Sequence, residues 1–370
     1  MVKYVWGSES VAPPEAPVLP IDAEVDTGCE EVLLINTRSY ALFDGDEPKA
    51  GEPTRNFLDI LKENEDLQKT GVPRYHVVEL DTLKHSAGQE HTDWIKLAHL
   101  VRDNYHKYRG FVVHNGTDNM VATATALSFM LENLGKPVVF TGARIPSERL
   151  YTDLKRNLIL ALLFANCSMI SEVCILFDER LFRANRTIKI SRSSLAPFDS
   201  PHFPPLATMD VAMNLHRPFL RLHPRGRFRV MDNMDAAVLC LKLGPAMRRR
   251  VFLRAVQLTE ARAMIIIAYG GGNGPTRGDF MRNVIRTAVA RDIVVVVCTQ
   301  NLYGSVDLGA YEAGEQLLKA GAISARDMTI EATIMKLKYL LGVGLSSKEI
   351  KKIFSDVNLR GELSPKPANL

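Results

Sequence analysis

A hydroxyl and a carboxylate stand side by side in the run Asn115-Gly116-Thr117-Asp118. The run lies between a short apolar stretch at 111–113 and a helix-forming stretch at 119–134. Open α/β sheets build their ligand sites where a parallel strand gives way to a helix N-terminus, so Thr117 and Asp118 are candidates for chemistry. The same two residue types also cap helices, because each accepts a hydrogen bond from the free amides of a first turn.

The elements that must position this pair are legible on either side. Met120, Leu127, Met130, Leu131 and Leu134 recur at spacings that predict a helix with these residues on one face. Gly135 suits the position just past a helix, and Pro137 cannot continue one. A second strand follows at 138–141. From Glu31 onward short β-branched runs alternate with helical stretches. Strands are expected at 32–35, 75–80, 111–113, 138–141 and 173–177, with helices at 94–108, 119–134 and 153–166. This alternation is the pattern of a parallel sheet covered on both faces. An Arg- and Pro-rich connector interrupts it at 218–234. A second α/β unit follows, with strands at 237–241, 264–268 and 293–298 and helices near 247–257, 279–291, 311–320, 328–341 and 348–354.

The expected organisation is therefore a flexible Pro- and Glu-rich leader (1–28), a larger N-terminal α/β domain (29–222), a linker (223–235), a smaller C-terminal α/β domain (236–360) and a tail (361–370). A length of 370 residues agrees with two cores rather than one.

Composition excludes several classes. Hydrophobic residues at 46% and charged residues at 24% fit a globular protein, and a net charge of +4 offers little to a polyanion. Arg248-Arg249-Arg250, with Arg221, Arg225, Arg227 and Arg229, reads as a solvated face rather than a nucleic-acid surface. Five cysteines without a CxxC pair (Cys29, Cys167, Cys174, Cys240, Cys298) suggest reduced, buried thiols in a cytoplasmic protein. The N-terminus lacks the apolar core of a signal peptide, and no run has the length of a membrane span. His85, His91 and His114 lack metal-ligand spacing, so no metal is expected. Tyr269-Gly270-Gly271-Gly272-Asn273-Gly274-Pro275 lets backbone approach a ligand but does not fit a dinucleotide fingerprint. There is no Walker loop, HExxH or GxSxG.

Longer segments resemble the type I (cytoplasmic, bacterial-type) L-asparaginase family from about residue 31 to 363. They are GFVVHNGTD, ALSFMLENLGKPVVFTG, ARIP at 143–146, LFRANRTIK at 181–189, FPPLAT at 203–208, IIIAYGGGNGP at 265–275 and DMTIEATIMKLKYLL at 327–341. The resemblance implies a two-domain asparaginase-type fold, a dimer or tetramer with sites at subunit boundaries, and no cofactor. It also implies hydrolysis of asparagine to aspartate and ammonia. An amide is a poor electrophile, so a threonine hydroxyl attacks it, ammonia leaves, and water frees the acyl group. By resemblance Thr117 and Asp118 match the family's Thr-Asp pair and Lys189 its lysine. Asp118 would orient Lys189, whose proton affinity burial and neighbours can tune. Alone, Lys189 would read as a solvated strand-end lysine.

The nucleophile turn departs from the family pattern. Where the family has T-G-G-T-I, this chain has Thr37-Arg38-Ser39-Tyr40-Ala41. Thr37 matches the supporting first threonine, Arg38 and Ser39 replace glycines, and Tyr40 stands at the nucleophile. A phenol has a pKa of about 10 and is far bulkier than an aliphatic alcohol. Activity is expected to be weak or absent, unless Ser39 shifts into place or Thr117 itself attacks. The substrate loop's Asp-Ser reads His85-Ser86, so an acid that would pair an ammonium is missing. Asn115 stands where the family has His, before Gly116. Arg144, after Ala143, replaces a neutral amide and is expected to pair with Asp118 or a ligand carboxylate. Asn273, with Tyr269, matches positions bordering a neighbouring subunit's site. The ligand expected is asparagine, aspartate or a similar, more anionic small acid. The rival reading is a non-catalytic binding or regulatory subunit on the same fold.

Overall fold

A computed structural model of the chain describes residues 31–37, 57–80, 88–147, 149–275 and 278–365. The leader at 1–28 lies outside them. In chain order the first unit contains β1 (Val32–Asn36), α1 (Phe57–Glu63), β2 (Tyr75–Glu79), α2 (His91–Asn104) and β3 (Gly110–His114). It continues with α3 (Met120–Met130), β4 (Leu131–Glu132), β5 (Val138–Thr141), α4 (Leu154–Ala165), β6 (Val173–Phe177) and β7 (Arg180–Arg183). Short strands close it: β8 (Ile188–Lys189), β9 (Phe198–Asp199), β10 (Ala207–Met209), β11 (Met213–Leu215) and β12 (Arg229–Val230). The second unit has β13 (Val238–Lys242), α5 (Arg249–Leu258), β14 (Ala263–Ala268), α6 (Phe280–Ala290) and β15 (Val294–Thr299). It ends with α7 (Glu312–Lys319), β16 (Ile323–Ser324), α8 (Ile330–Gly342) and α9 (Ser347–Ile353).

The larger sheet runs β11-β10-β7-β6-β5-β3-β1-β2. The strands from β2 to β6 in that order are parallel. β7, β10 and β11 extend them antiparallel, an addition that the sequence pattern did not announce. The smaller sheet, β13-β14-β15-β16, is wholly parallel. Helices cover both faces of the parallel strands, which explains why VLLIN, VCILF and VVVVC are almost continuously apolar rather than alternating.

Helix α3 departs from expectation in two ways. It ends at Met130, because Leu131 and Glu132 pair with Val230 and Arg229 as a two-stranded ribbon. Nor does it present one apolar stripe, for every residue except Ala122 is buried. The helix lies within a core shared by Leu33, Val113 and Phe140 of the larger sheet and Leu337, Ile265 and Val296 of the second unit. Its small Ala and Thr residues are buried with the large ones, so the sequence moment is nearly lost.

The connector at 223–235 is not a free linker. Besides the β12 pairing, Met234 is buried and Lys338 Nζ donates to the Met234 and Ala236 carbonyls at 3.1 and 2.9 Å. Arg221, expected on a solvated face, turns inward and donates to the Leu359 carbonyl. Residues 361–364 pack instead of trailing as a tail: Glu362 is fully buried and meets Lys336 Nζ at 2.6 Å. Cys174 and Cys298 are buried thiols, but Cys240 is exposed because β13 is an edge strand; Cys29 lies outside the described residues.

Candidate active site

Strand order reverses at β1 and β3, since the chain fills the sheet to one side through β2 and to the other through β5 and β6. In doubly wound sheets the crevice outside the carboxyl ends of such strands receives the ligand. Thr37 follows β1, Asn115 to Asp118 follow β3, and Ala143 with Arg144 follow β5. Three adjacent strand ends thus deliver their loops to one place. Gly142 permits the closest approach: a Cβ there would lie 2.3 Å from the Asn115 carbonyl oxygen.

Lys189 arrives from elsewhere. The segment before it is clamped, with Asn185, Arg186 and Thr187 all buried. Arg183 is buried against Glu172, to which Nη2 donates at 3.1 Å, and Thr187 Oγ1 donates to the Arg183 carbonyl at 2.8 Å. β8 then pairs with β9, whose Phe198 is buried edge-on to Phe177. From this hairpin Lys189 Nζ donates to Asp118 Oδ1 at 2.6 Å and to Thr117 Oγ1 at 3.1 Å. Thr117 is only 7% exposed, whereas Asp118 opens to solvent. Thr117 therefore meets the lysine instead of capping α3, which starts after Asn119 without a side-chain cap.

Thr37 is buried at the end of β1. Its hydroxyl lies within donor distance of Asn115 Oδ1 (2.8 Å) and the His114 carbonyl (3.0 Å). Asn115 Oδ1 also accepts from Gln89 Nε2 at 2.6 Å, and Asn115 Nδ2 donates to the Gly116 carbonyl. Gln89 in turn accepts from Thr123, which accepts from Trp94 Nε1. This chain of bonds joins the ends of β1 and β3 to the start of α2, and sequence reasoning did not find it. Gln89, Thr123 and Trp94 lie in no motif, and only the folded register makes them neighbours.

Arg144 does not pair with Asp118. Its Nη1 donates to Thr117 Oγ1 at 2.9 Å and its Nη2 to the Arg192 carbonyl. Its backbone is fixed by Asp153, whose two carboxylate oxygens accept the Arg144 amide at 2.9 and 3.0 Å and whose Oδ1 also accepts the Ile145 amide. Asn157 braces the turn through Asp153 and the Gly142 carbonyl. The signal for Asp153 was its place at the opening of the helix predicted over 153–166.

Beneath the site, His114 stacks on Phe57 at 4.7 Å and its Nδ1 lies 3.0 Å from Asn36 Oδ1. Burial lowers its pKa from 6.5 to about 4, so the ring is neutral near neutrality. Asn273 sits apart from this group: it closes a turn after β14, its amide bonded to the Tyr269 carbonyl at 2.8 Å. In that turn Gly272 adopts φ 113°, and a Cβ would meet Val306 and Leu308 at 2.9 Å. Arg38, Ser39, Tyr40, His85 and Ser86 lie outside the described residues. Among the described residues no group of three or more His, Cys, Asp or Glu converges as a metal site, and no helix is long and apolar enough to cross a membrane.

A doubly wound domain with a Thr-Asp-Lys cluster at its switch point, followed by a smaller parallel-sheet domain, defines a class of amidohydrolase scaffold. The model for the N-terminal domain of asparaginases matches residues 44–220, and that for the glutaminase/asparaginase C-terminal domain matches residues 237–354. The chain is 38% identical to L-asparaginase 1 of Escherichia coli over 294 residues, covering 80% of this chain and 86% of that one. It is also 38% identical to the 60 kDa lysophospholipase of Mus musculus over 292 residues, covering 78% of this chain but spanning about half of that relative (51%). The crystal structure of L-asparaginase I from Vibrio cholerae superposes with a TM-score of 0.81 at 32% identity, over 91% of this chain and 99% of that one. The chain belongs to the asparaginase family.

Proposed function

We propose that the Thr117–Asp118–Lys189 cluster is the surviving half of an L-asparaginase site, and that turnover of asparagine is weak or absent because Tyr40 stands at the nucleophile position. The observation that carries this reading is the Lys189 ammonium held between the Asp118 carboxylate and the Thr117 hydroxyl. In the family reaction a hydroxyl attacks the side-chain carboxamide carbon, the C–N bond breaks, and the nitrogen leaves as ammonia after gaining a proton. Water then cleaves the acyl ester and aspartate departs. Thr117 and Lys189 are placed to pass the protons, with Asp118 orienting the lysine. The match to the N-terminal family model over residues 44–220 supports a retained scaffold around this cluster.

The second reading is a non-catalytic small-acid-binding or regulatory subunit. Arg144 favours it, since a guanidinium donates to the hydroxyl that the relay would use. Both readings take domain bounds of 29–222 and 236–360, a homodimer or homotetramer, a cytoplasmic location, and no cofactor, nucleic acid or membrane. Asn273, Ala143, Gly116, His85 and Ser86 are proposed substrate contacts, and Thr37 a support of the nucleophile turn.

Ammonia release from asparagine separates the readings. The unmodified protein should release little, whereas the triple variant Arg38→Gly, Ser39→Gly, Tyr40→Thr should gain orders of magnitude, as nucleophile removal typically costs that much. Brisk deamidation by the unmodified chain would sink the proposal of impaired turnover.

A further inference from the structure

Thr117 has one hydroxyl oxygen and two acceptor lone pairs. Both are taken by cations, Arg144 Nη1 at 2.9 Å and Lys189 Nζ at 3.1 Å. Lys189 is shared with Asp118, but among the described residues the Arg144 guanidinium meets neutral oxygens, Thr117 Oγ1 and the Arg192 carbonyl. Among the described residues its buried Nε meets no hydrogen-bond partner. Among the described residues the side chains that meet the Thr117 hydroxyl are thus two cations, and the Asp118 carboxylate bonds to only one of them, Lys189.

That arrangement is a poor resting place for a guanidinium. A charged acceptor makes a bond roughly twice as strong as a neutral one, and a buried donor without a partner loses its hydration with nothing in return. Arg carries its N–H groups in a planar fork that matches two carboxylate oxygens. The arm bearing the fork is rigid, because Asp153 holds the Arg144 and Ile145 amides and Asn157 holds Asp153. A side chain on so fixed a turn selects its ligand rather than adapting to it.

We infer that Arg144 is the specificity-determining residue of this site and makes its reacting end a carboxylate pocket, so that the ligand taken is a small dicarboxylate rather than a carboxamide. A ligand carboxylate satisfies the buried Nε and replaces Thr117 as the acceptor for Arg144. Thr117 is then left with Lys189 as its cationic donor. The acid competes with Thr117 for the Arg144 fork. A neutral carboxamide brings an N–H₂ donor towards two cations and has no charge to offer them. The inference rests on the reading of this cluster as the ligand site, but not on whether that site turns over.

Calorimetric titration with succinate, L-aspartate, L-asparagine and butyramide tests it, using the unmodified protein and the variants Arg144→Gln and Arg144→Lys. The unmodified protein should bind succinate and aspartate at least tenfold more tightly than asparagine and should ignore butyramide. Arg144→Gln should lose at least tenfold for both diacids while asparagine changes less than threefold. Arg144→Lys, which keeps the charge but not the fork, should fall between. Asp153 grips backbone amides, so neither variant disturbs the turn, and unchanged melting curves would verify this. Equal diacid affinity in Arg144→Gln, tighter binding of asparagine than of diacids, or no diacid binding by the unmodified protein would each overturn the inference. The proposed amidohydrolase origin fails separately, if the restored triple variant releases no ammonia.

Discussion

Arg186, whose side chain is completely buried, donates from Nη1 to Asp327 Oδ2 at 3.0 Å. The contact joins the segment that carries Lys189 to the turn that precedes α8 in the second unit. Ser364 closes the joint from the C-terminal side, its hydroxyl accepting from Arg186 Nη2 and its amide donating to Asp327. Burial alone would raise the Asp327 carboxyl, but Arg186 and Ser364 outweigh it and hold the pKa below its usual value. The position of Lys189 thus depends on both units.

Arg186→Ala should destabilise the protein by about 3–5 kcal/mol, because it leaves the Asp327 carboxylate largely buried without its cation. Urea unfolding measures this as a lower midpoint. A loss below about 1 kcal/mol would mean that water reaches Asp327 and that the joint is slack.

Lys189→Met and Asp118→Asn should each lower ammonia release by at least about a hundredfold in the nucleophile-restored triple variant, since a positioned proton carrier typically contributes 10²–10⁴-fold. Stability should change little, as Asp118 is well exposed and exposed ion pairs contribute about 0–1 kcal/mol. Activity retained without Lys189 would remove it from the proton path.

His114 gives the acid limb a defined sign. Its folded pKa of about 4 lies below its unfolded value of 6.5, so the unfolded chain binds more protons between those values. Its contribution is present in full above about pH 6.5 and is lost as pH falls towards 4. The gap between those two values bounds the loss at roughly 3 kcal/mol. Melting temperatures from pH 7 to 4 should fall less steeply for His114→Gln than for the unmodified protein; parallel curves would exclude this role.

Asn115→Ala removes the oxygen that accepts from both Thr37 and Gln89. A cost of about 1–3 kcal/mol is expected, since a buried donor loses its acceptor. Amide exchange should rise at Thr37 and Gln89 before it rises in β5. Uniform acceleration across the sheet would instead indicate global weakening.

Much of the fold was readable before the structure. The strands at 138–141 and 173–177 fall where their apolar runs end, and β13, β14 and β15 shift by no more than a residue or two. Buried parallel strands announce themselves by composition alone. Helix α3 did not, because periodicity assumes a wet face and this helix has none. The ribbon of β4 and β12 was also hidden, since two residues carry no pattern until a distant partner meets them.

Local chemistry along the chain determined that a threonine and an aspartate follow an apolar strand, and that a helix-forming stretch comes directly after them. Each of these depends only on neighbours a few residues away. The tertiary structure alone decided that Arg144 meets Thr117 instead of Asp118, and that Arg186 spans to Asp327. Such contacts join residues far apart in sequence, and their partners are chosen by sheet order and helix packing, which no local spacing encodes.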